Sequence, residues 1–312
     1  MKKIISFFLA IMFVFLCIGC NQQDSVETGK VNVIISKDFG NKELSKKNVD
    51  FSKDLSVMEV MEENFKVETA YGGGFINAID GLKSGFTGVK DKKKKDWFYY
   101  VNGILAQVGA EDYYLTPNDF IIWDYHDWDN NIYGSSIIGA YPMNFTNGQE
   151  GDLFKTEILH TKEYEKESQE VSTFLKKKGL ENIDVKNLKE EGLENIQTNT
   201  IVIGTWEEIS QIDYLKDFYK NGNKTGLFFR IEKDIQALNS KGNITDEYEK
   251  GAVITSMVKE YGVSTSIWLV TGNDEKCIKK AVKLLYETPE KIKGKFSIIV
   301  TENEMINIPT NK

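Results

Sequence analysis

One short stretch constrains the fold of this 312-residue chain more than any other, an aromatic run followed by an Asn-Gly pair. The run Trp97-Phe98-Tyr99-Tyr100-Val101 favours a strand, because aromatic and β-branched side chains pack well on a pleated surface. Asn102-Gly103 follows, and both residues tolerate the positive φ of a tight hairpin turn. Ile104-Leu105-Ala106 supplies the returning strand. The stretch therefore predicts an antiparallel hairpin.

A further strand follows the turn Pro117-Asn118-Asp119. Successive side chains of a strand point to opposite faces of its sheet. The run Phe120-Ile121-Ile122-Trp123-Asp124-Tyr125 therefore places Phe120, Ile122 and Asp124 on one face and Ile121, Trp123 and Tyr125 on the other.

The upstream residues complete a small α+β domain over residues 31–128. Val31-Asn32-Val33-Ile34-Ile35-Ser36 indicates a half-buried strand, and residues 49–51 a second one paired with it. Residues 56–64 have helical spacing of apolar side chains, with Ser56 and Glu59 in the capping-box positions. The order strand, strand, helix, strands predicts an α+β, β-grasp-like fold.

These segments resemble a known family. The run 97–103 and the run 117–125 look like the hallmarks of the transcobalamin-like C-terminal domain, and Gly72-Gly73-Gly74-Phe75-Ile76 fits the same pattern. The resemblance implies the smaller, β-grasp-like domain of intrinsic factor and transcobalamin, which also occurs in bacterial surface lipoproteins. It covers residues 31–128 only. The vitamin carriers clamp cobalamin against a helical barrel, and this chain encodes no such barrel, so the resemblance implies the fold more strongly than the ligand.

The chain changes character after a turn-rich stretch, which predicts a linker over residues 129–150 and a second domain over residues 151–312. Apolar runs such as Thr200-Ile201-Val202-Ile203-Gly204 indicate strands buried on both faces. Helical patterns lie between such runs, at residues 162–178, 245–261 and 274–287. This alternation predicts an α/β layered domain with a largely parallel sheet.

Two strands of this second domain end alike, at residues 203–207 and 270–274, each with Gly, polar residues and an acidic helix start. In open α/β sheets, ligands bind outside the carboxyl ends of the strands. The two loops are therefore either a ligand site or ordinary tight connections with helix caps, and the second interpretation is the simpler one. Neither loop matches a phosphate or dinucleotide fingerprint.

The N-terminus has the pattern of an export signal. Lys2 and Lys3 precede an apolar stretch over residues 4–18, which is too short for a comfortable membrane span. The ending Leu16-Cys17-Ile18-Gly19-Cys20 resembles a lipobox, which implies lipidation of Cys20 and cleavage after Gly19. Residues 1–19 are then the signal peptide and residues 20–30 a polar tether. The alternative is an uncleaved anchor helix.

Charge and cysteine content exclude several classes of function. The formal charge is −8, and loss of Lys2 and Lys3 makes it −10, which does not suit binding to nucleic acid. Cys277 would be the one cysteine left after lipidation of Cys20, and it lies in a helical pattern as a small buried residue. We expect no disulfide and no zinc site.

No sequence motif supports catalysis, so we do not expect an enzyme. The two histidines, His126 and His160, have no nearby cysteine, and no Gly-x-Ser-x-Gly elbow occurs. The cluster at residues 124–129 contains carboxylates and His126, which suit a cation or the cobalt of a corrinoid. A polar strand end with exposed acids is the simpler interpretation, and we predict no metal or resident cofactor.

The aromatic residues make the stronger functional case. A sheet of under a hundred residues cannot bury all of its rings on one face, and exposed rings mark binding surfaces. About half of them suffice for a core beneath the hairpin. The Gly-rich loop at 72–74 lets a ligand approach the backbone closely. The predicted ligand-binding residues are Tyr71, Gly73, Phe75, Trp97, Tyr99, Asn102, Tyr114, Trp123, Tyr125, His126 and Trp128.

These expectations combine into one functional hypothesis. The chain is a binding lipoprotein, anchored through Cys20 on the extracytoplasmic face of the cell membrane. It captures a small molecule, with cobalamin as a candidate, for hand-over to a membrane importer, and the second domain forms the other wall of the cleft. The alternative is a surface interaction protein whose aromatic face binds a protein or a cell-wall polymer.

Overall fold

The computed structural model describes residues 29–51, 54–87, 90, 92–129, 134–189, 193–220, 226–260 and 262–312. Within these ranges the chain is a mixed α+β structure in layers, dominated by strands. The N-terminal elements, in chain order, are β1 (Gly29–Lys37), β2 (Lys42–Phe51), α1 (Val57–Asn64), β3 (Val67–Ala70), β4 (Phe75–Ile79), β5 (Leu82–Lys83), β6 (Lys95–Val101), β7 (Ile104–Leu105) and β8 (Phe120–Asp127).

Five of these strands form one sheet in the order β2-β1-β8-β6-β7, and β3, β4 and β5 form a second, smaller sheet. In the larger sheet β1 and β8 run parallel and the other neighbours are antiparallel. Helix α1 has the predicted capping box, since Ser56 Oγ accepts the Glu59 N–H at 3.2 Å and the Glu59 carboxylate accepts the Ser56 N–H at 2.8 Å. The predicted strand 31–36, helix 56–64 and strand 120–125 match β1, α1 and β8, whereas the second strand, predicted over residues 49–51, begins at Lys42.

The Asn-Gly turn has the predicted geometry, with φ of 48° at Asn102 and 83° at Gly103. Asn102 is fully buried, and its side chain also fastens the turn to neighbouring segments. Its Nδ2 donates to Asp119 Oδ1 at 2.7 Å and to the Gly148 carbonyl at 2.8 Å, while its Oδ1 accepts the Phe120 N–H at 2.9 Å. The side chain therefore ties the hairpin to β8 and to the segment that follows it.

The C-terminal elements, in chain order, are α2 (Met143–Thr146), β9 (Lys155–His160), α3 (Glu165–Lys177), β10 (Ile183–Asn187), β11 (Thr198–Thr205), α4 (Trp206–Ile209), α5 (Asp213–Lys220), β12 (Phe229–Ile231), β13 (Ile235–Leu238), β14 (Ile244–Tyr248), β15 (Ala252–Val258), β16 (Ser266–Gly272), α6 (Glu275–Tyr286), β17 (Ser297–Val300) and β18 (Met305–Ile308). Seven strands form a mixed sheet in the order β10-β9-β11-β16-β15-β17-β18. The first three pairings are parallel and the last three are antiparallel. The prediction of a largely parallel sheet therefore holds for half of the pairings.

The prediction of a helix over residues 245–261 is wrong, because the segment forms β14 and β15. In β15 every residue from Ala252 to Met257 is buried, with Val253 in one core and Ile254 in the other. A strand covered on both faces loses the polar-apolar alternation that marks a strand in sequence. The neighbouring β-branched residues Val253, Ile254 and Thr255 are the signal that favoured a strand.

Most of residues 134–149, part of the predicted linker, are buried in the protein. Ile137, Ile138, Tyr141 and Phe145 are all buried. The Ile137 N–H donates to the Gly103 carbonyl at 2.8 Å. The segment therefore joins the two parts of the chain as core structure. Residues 130–133 lie outside the described ranges.

A shared core lies between the two large sheets. The five-stranded sheet contributes Ile34, Tyr100, Phe120 and Ile122, which pack in one cluster with residues of the C-terminal part that include Leu159, Val202, Phe228 and Phe296. The opposite face of the five-stranded sheet packs on α1 and the small sheet. The predicted alternation in β8 is confirmed, since Phe120 and Ile122 lie in the shared core and Ile121, Trp123 and Tyr125 in the other cluster. Both faces of this sheet are therefore covered.

The described residues contain no helix that is long and apolar enough to cross a membrane. The predicted signal peptide, the lipidated Cys20 and nearly all of the tether lie outside the described residues. Cys277 is fully buried, as predicted.

We expect Phe296→Ala to lower the free energy of unfolding by about 3–5 kcal/mol, because it leaves a cavity in the shared core. The Phe296 ring lies 5.4 Å from Phe39 and 5.4 Å from Tyr100, which are both N-terminal residues. The shared core also predicts one calorimetric transition for the whole protein. Leu153→Ala, at a residue that is 56% exposed, is the control. Two separate transitions in the wild type would contradict a shared core.

Candidate binding surface

Four of the aromatic residues predicted to bind ligand belong to the core instead. Trp97, Tyr99, Trp123 and Tyr125 are 3–9% exposed, packed between the sheet and helix α1. Tyr99 and Trp123 stack at 4.8 Å between ring centroids, and Trp97 lies 5.3 Å from Tyr125. This burial contradicts the prediction that these four bind ligand, because α1 and the small sheet cover the face that carries them.

The polar groups of two of these rings, Trp97 and Tyr99, form hydrogen bonds within the protein, whereas Trp123 Nε1 is buried without a partner among the described residues. The Tyr99 hydroxyl donates to the Val108 carbonyl at 2.6 Å, and Trp97 Nε1 donates to the Leu82 carbonyl at 3.0 Å. Burial raises the pKa of the Tyr99 hydroxyl well above its usual range, with a smaller contribution from the charge of Asp112. Tyr99 therefore stays a neutral donor whose partner is a backbone carbonyl.

His126 is also a core residue and does not face a ligand. It is 3% exposed, and its ring stacks between Phe39 at 4.3 Å and Phe98 at 4.4 Å. Its Nδ1 lies 2.8 Å from Asp124 Oδ1. Asp124 is fully buried and also accepts the N–H groups of Phe39 and Gly40 at 2.9 and 2.8 Å. The pair fixes the turn after β1, and among the described residues no cluster of three or more potential ligands is placed to hold a metal ion.

Two further predicted residues have structural contacts. Asn102 is buried in the hairpin turn, so the prediction that it contacts ligand is wrong. Trp128 is half-buried, with its ring 5.3 Å from Phe86 and the Lys94 ammonium 5.7 Å from its centroid.

The remaining predicted residues lie on two adjacent loops and stay accessible. Tyr71 is 82% exposed and Tyr114 is 58% exposed, whereas Phe75 and Gly73 are half-buried. Val108, which was not predicted, is 44% exposed on the same loop as Tyr114. We use the name tyrosine platform for the set of residues Tyr71, Phe75, Val108, Glu111 and Tyr114 on these two segments.

The first loop of the platform has an unusual backbone. Tyr71, Gly72 and Gly73 have φ of 55°, 82° and 116° in succession. Glycine adopts positive φ without strain, but a bulky residue such as tyrosine seldom does. The Tyr71 ring has one aromatic neighbour, Phe75, at 6.0 Å edge to face. The loop therefore holds a large ring in solvent at a cost in conformational energy.

The second loop is fastened to the start of helix α1. The Val57 N–H donates to the Tyr113 carbonyl and the Met58 N–H to the Ala110 carbonyl, both at 2.9 Å. These bonds satisfy two N–H groups at the helix start that have no partner inside the helix. Tyr113 points into the core and is 3% exposed, so the next residue, Tyr114, points outward.

The two loops touch at Gly73, where Oε1 of Glu111 occupies the space that a Cβ would need. The platform thus combines aromatic rings with the carboxylate of Glu111, and Asp112 follows next in the chain. Rings offer stacking surfaces and carboxylates accept hydrogen bonds, which together suit a ring ligand with polar substituents. Sequence reasoning missed Val108 and Glu111, because neither lies in a recognisable motif.

The predicted cleft between the two parts of the chain is largely closed by the shared core. A crevice of about 360 Å³ remains at its rim, between a wall of N-terminal residues that includes Asp38 and Lys95 and a wall of C-terminal residues that includes Asn239 and Lys312. Lys95 and Asp38 pair with each other at 2.9 Å. The crevice is polar, and a corrinoid with its nucleotide tail is too large for it.

Comparison with known proteins finds similarity for one segment of this chain. The model of a family described as a domain of unknown function, DUF4430, matches residues 54–127. No curated protein matches the chain. Two similar solved structures cover about a third of this chain, each at 18% identity.

One of these structures is described as a candidate metal binding protein from Ruminococcus gnavus ATCC 29149. The match covers 32% of this chain and 97% of that one, with a TM-score of 0.24. The other is haptocorrin in complex with Cbi, where the match covers 35% of this chain and 28% of that one, with a TM-score of 0.26. The chain thus spans less than a third of the haptocorrin chain. The family model and both structures match only a segment of this chain.

We expect Gly73→Ala to destabilise the protein more than Gly72→Ala. Both residues have positive φ, which costs an alanine about 1 kcal/mol or more, but the φ of 116° at Gly73 lies further from the left-handed helical region than the 82° at Gly72, and only the Cβ at position 73 meets the Glu111 side chain. Urea denaturation measures both variants. Glu111→Ala in the Gly73→Ala background should recover the part of the destabilisation that comes from the Glu111 contact. It should leave the part that comes from backbone strain at residue 73. Equal destabilisation by the two single variants would contradict the loop contact.

Proposed function

We propose that this chain is a lipid-anchored binding protein of the extracytoplasmic membrane face, which captures a ring-bearing small molecule on the tyrosine platform. The N-terminal part is proposed to be a β-grasp-like domain of the transcobalamin-like kind. The proposal includes no catalytic step. It assigns recognition to Tyr71 and Tyr114, and support to the buried rings beneath them.

The observation that carries the proposal is the exposure of Tyr71. Four of the eight aromatic residues predicted to bind ligand are buried, yet this ring is 82% exposed on a backbone with φ of 55°. Residues in sparsely populated backbone conformations cluster at ligand-binding sites, because the surrounding fold maintains them there. Stability alone does not favour a strained, exposed tyrosine, whereas stacking on a ligand makes use of it.

The chemistry of the platform narrows the ligand class. Tyrosine rings present flat faces with polar tips, and the Glu111 carboxylate adds an acceptor for hydroxyl or amide groups. A planar ring system with polar edges fits this set, and cobalamin is the first candidate to test. The shared core fills most of the space between the two sheets. A large ligand would therefore be held on the open platform.

The proposed lipid anchor determines where in the cell the protein would act. Lipidation at Cys20 would hold the protein outside the membrane, with residues 21–30 as a polar tether. A tethered protein with a surface-held ligand is suited to hand-over, because an open site can be contacted by a second protein. We therefore include delivery to a membrane importer in the proposal.

A second candidate function is adhesion, and the openness of the platform favours it. Tyr71, Val108 and Tyr114 lie on exposed loops, whereas small-molecule ligands usually bind in concave pockets. A cell-wall polymer or a surface protein would bind the same rings without a cavity. Binding measurements with purified ligands distinguish the two functions.

We expect Tyr71→Ala and Tyr114→Ala each to weaken ligand binding about tenfold, the equivalent of about 1.4 kcal/mol, while leaving the melting temperature nearly unchanged. Calorimetric titration of the full chain in detergent with cyanocobalamin provides the measurement. Ile244→Ala is the matched control, since Ile244 is an exposed apolar residue of the C-terminal part.

The same titration with soluble peptidoglycan fragments tests adhesion. Binding of these fragments, with no cobalamin binding and the same losses in the two tyrosine variants, would favour the second function. Unchanged affinity in both tyrosine variants for any ligand that binds would remove the platform from either proposal.

We expect Cys20→Ser to abolish incorporation of labelled palmitate and to release the protein from the membrane fraction. The reason is that the Cys20 thiol is the proposed point of lipid attachment. Cys17→Ser is the matched control, because that cysteine would leave with the signal peptide. Palmitate labelling that persists in Cys20→Ser would contradict the anchor.

A further inference from the structure

The two segments of the tyrosine platform contain no basic residue, although lysine is abundant elsewhere. The chain has 39 Lys and Arg residues, yet none occurs in residues 67–82 or in residues 96–154. The first of these ranges contains the loop at residues 71–75, and the second contains the loop at residues 108–114. Acidic residues occur in both ranges, so the charge that these segments bring to the platform is negative.

Two carboxylates of the second loop lie where the two loops meet. Oε1 of Glu111 occupies the space that a Cβ on Gly73 would need. A Cβ on Gly109 would stand 3.5 Å from Asp112 Oδ2 and 3.6 Å from the Gly74 carbonyl oxygen. The loop that carries the first exposed tyrosine therefore has both carboxylates beside its glycines.

Neither carboxylate is neutralised by another side chain. Within the part of the chain that the structure describes, Glu111 and Asp112 are exposed, and no ion pair or hydrogen bond reaches either carboxylate. By contrast, Glu68 of β3 pairs with Lys83 at 2.8 Å. The charge of the two carboxylates is therefore available to a ligand.

The buried Tyr99 hydroxyl lies in the same negative field. It donates to the carbonyl of Val108 at 2.6 Å. Burial is the main cause of its raised pKa, and the negative charges of Asp112 and Glu150 raise that pKa further. Glu150 is also exposed, and its N–H donates to the Tyr113 hydroxyl at 3.3 Å. A third carboxylate thus adds to the negative charge near the second loop.

The faces of the two exposed tyrosine rings are free to receive a positive charge. A cation over an aromatic face is attracted by the quadrupole of the ring. The rings of Phe65 and Phe86 have lysine ammonium groups of the protein itself at 4.4 and 4.6 Å from their centroids. Among the described residues, no lysine lies over Tyr71 or Tyr114, which are 82% and 58% exposed.

We propose that the tyrosine platform selects ring-bearing small molecules that carry a positive charge, such as a quaternary ring nitrogen. The tyrosine rings would contact the ring of the ligand, and Glu111 and Asp112 would attract its charge. The same carboxylates would repel an anionic ligand. This inference rests on the proposed function and adds the charge of the ligand to it.

Three molecules that share one ring system test the proposal. They are 1-methylnicotinamide, which is cationic, nicotinamide, which is neutral, and nicotinate, which is anionic. Ligand-observed NMR titration of the full chain in a non-ionic detergent measures the three affinities. We expect 1-methylnicotinamide to bind about fivefold more tightly than nicotinamide at low ionic strength, and nicotinate to bind most weakly. High salt should reduce this preference, because it screens exposed charges.

Two variants assign the preference to the platform. Glu111→Gln and Asp112→Asn should each reduce the preference for the cation about twofold, because each removes a charge while keeping the shape of the side chain. Glu181→Gln is the matched control, since it changes the net charge equally at an exposed residue of the C-terminal part. Equal affinity for the cationic and neutral molecules, or an equal loss of preference in Glu181→Gln, would overturn the selection by charge.

Tyr71→Ala separates this inference from the proposed function. Weaker binding of both molecules in this variant, with no preference for the cation in the wild type, would leave the platform in place and overturn only the charge selection. Unchanged binding in both Tyr71→Ala and Tyr114→Ala would remove the platform, and the charge selection with it. Absence of saturable binding by all three molecules would also overturn the inference.

Discussion

The structure depends on the apolar contact between its two large sheets. Phe296 of the C-terminal part packs edge to face against Phe39 and Tyr100 of the N-terminal part, and Phe120 and Ile122 belong to the same core. This contact covers the second face of the five-stranded sheet, which a small domain on its own would expose to water. It also explains why most of residues 134–149 are core structure, since they lie where the two parts meet.

The same packing decides which aromatic residues remain for recognition. One face of the five-stranded sheet is covered by α1 and the small sheet, and the other by the C-terminal part, so rings within the strands become core. Aromatic side chains on loops are not covered by this packing. Tyr71 and Tyr114 are exposed because their loops lie beyond the strand ends, and the buried Tyr99 hydroxyl donates to the loop of Tyr114 at the Val108 carbonyl. Because both faces of the sheet are covered, the candidate surface consists of loop residues.

The sequence predicted most of the fold and a smaller part of the candidate surface. The Asn102-Gly103 turn and the Ser56 capping box follow from local chemistry, and the structure has both. The strand β15 was missed because burial on both faces removes the alternation of polar and apolar residues that marks a strand, so periodicity does not separate it from a buried helix. Glu111 was missed because it lies in no recognisable motif and meets Gly73, a residue distant in sequence.

By itself, the sequence determined the alternation of β8, the tight hairpin and the helix start, because each depends on neighbours a few residues away. It also determined that the chain has more rings than one sheet face requires. Only the tertiary structure decided which rings are buried, where β9 and β11 end side by side, and that His126 lies between two phenylalanines. Exposure and convergence are properties of packing between distant segments, and no local pattern encodes them.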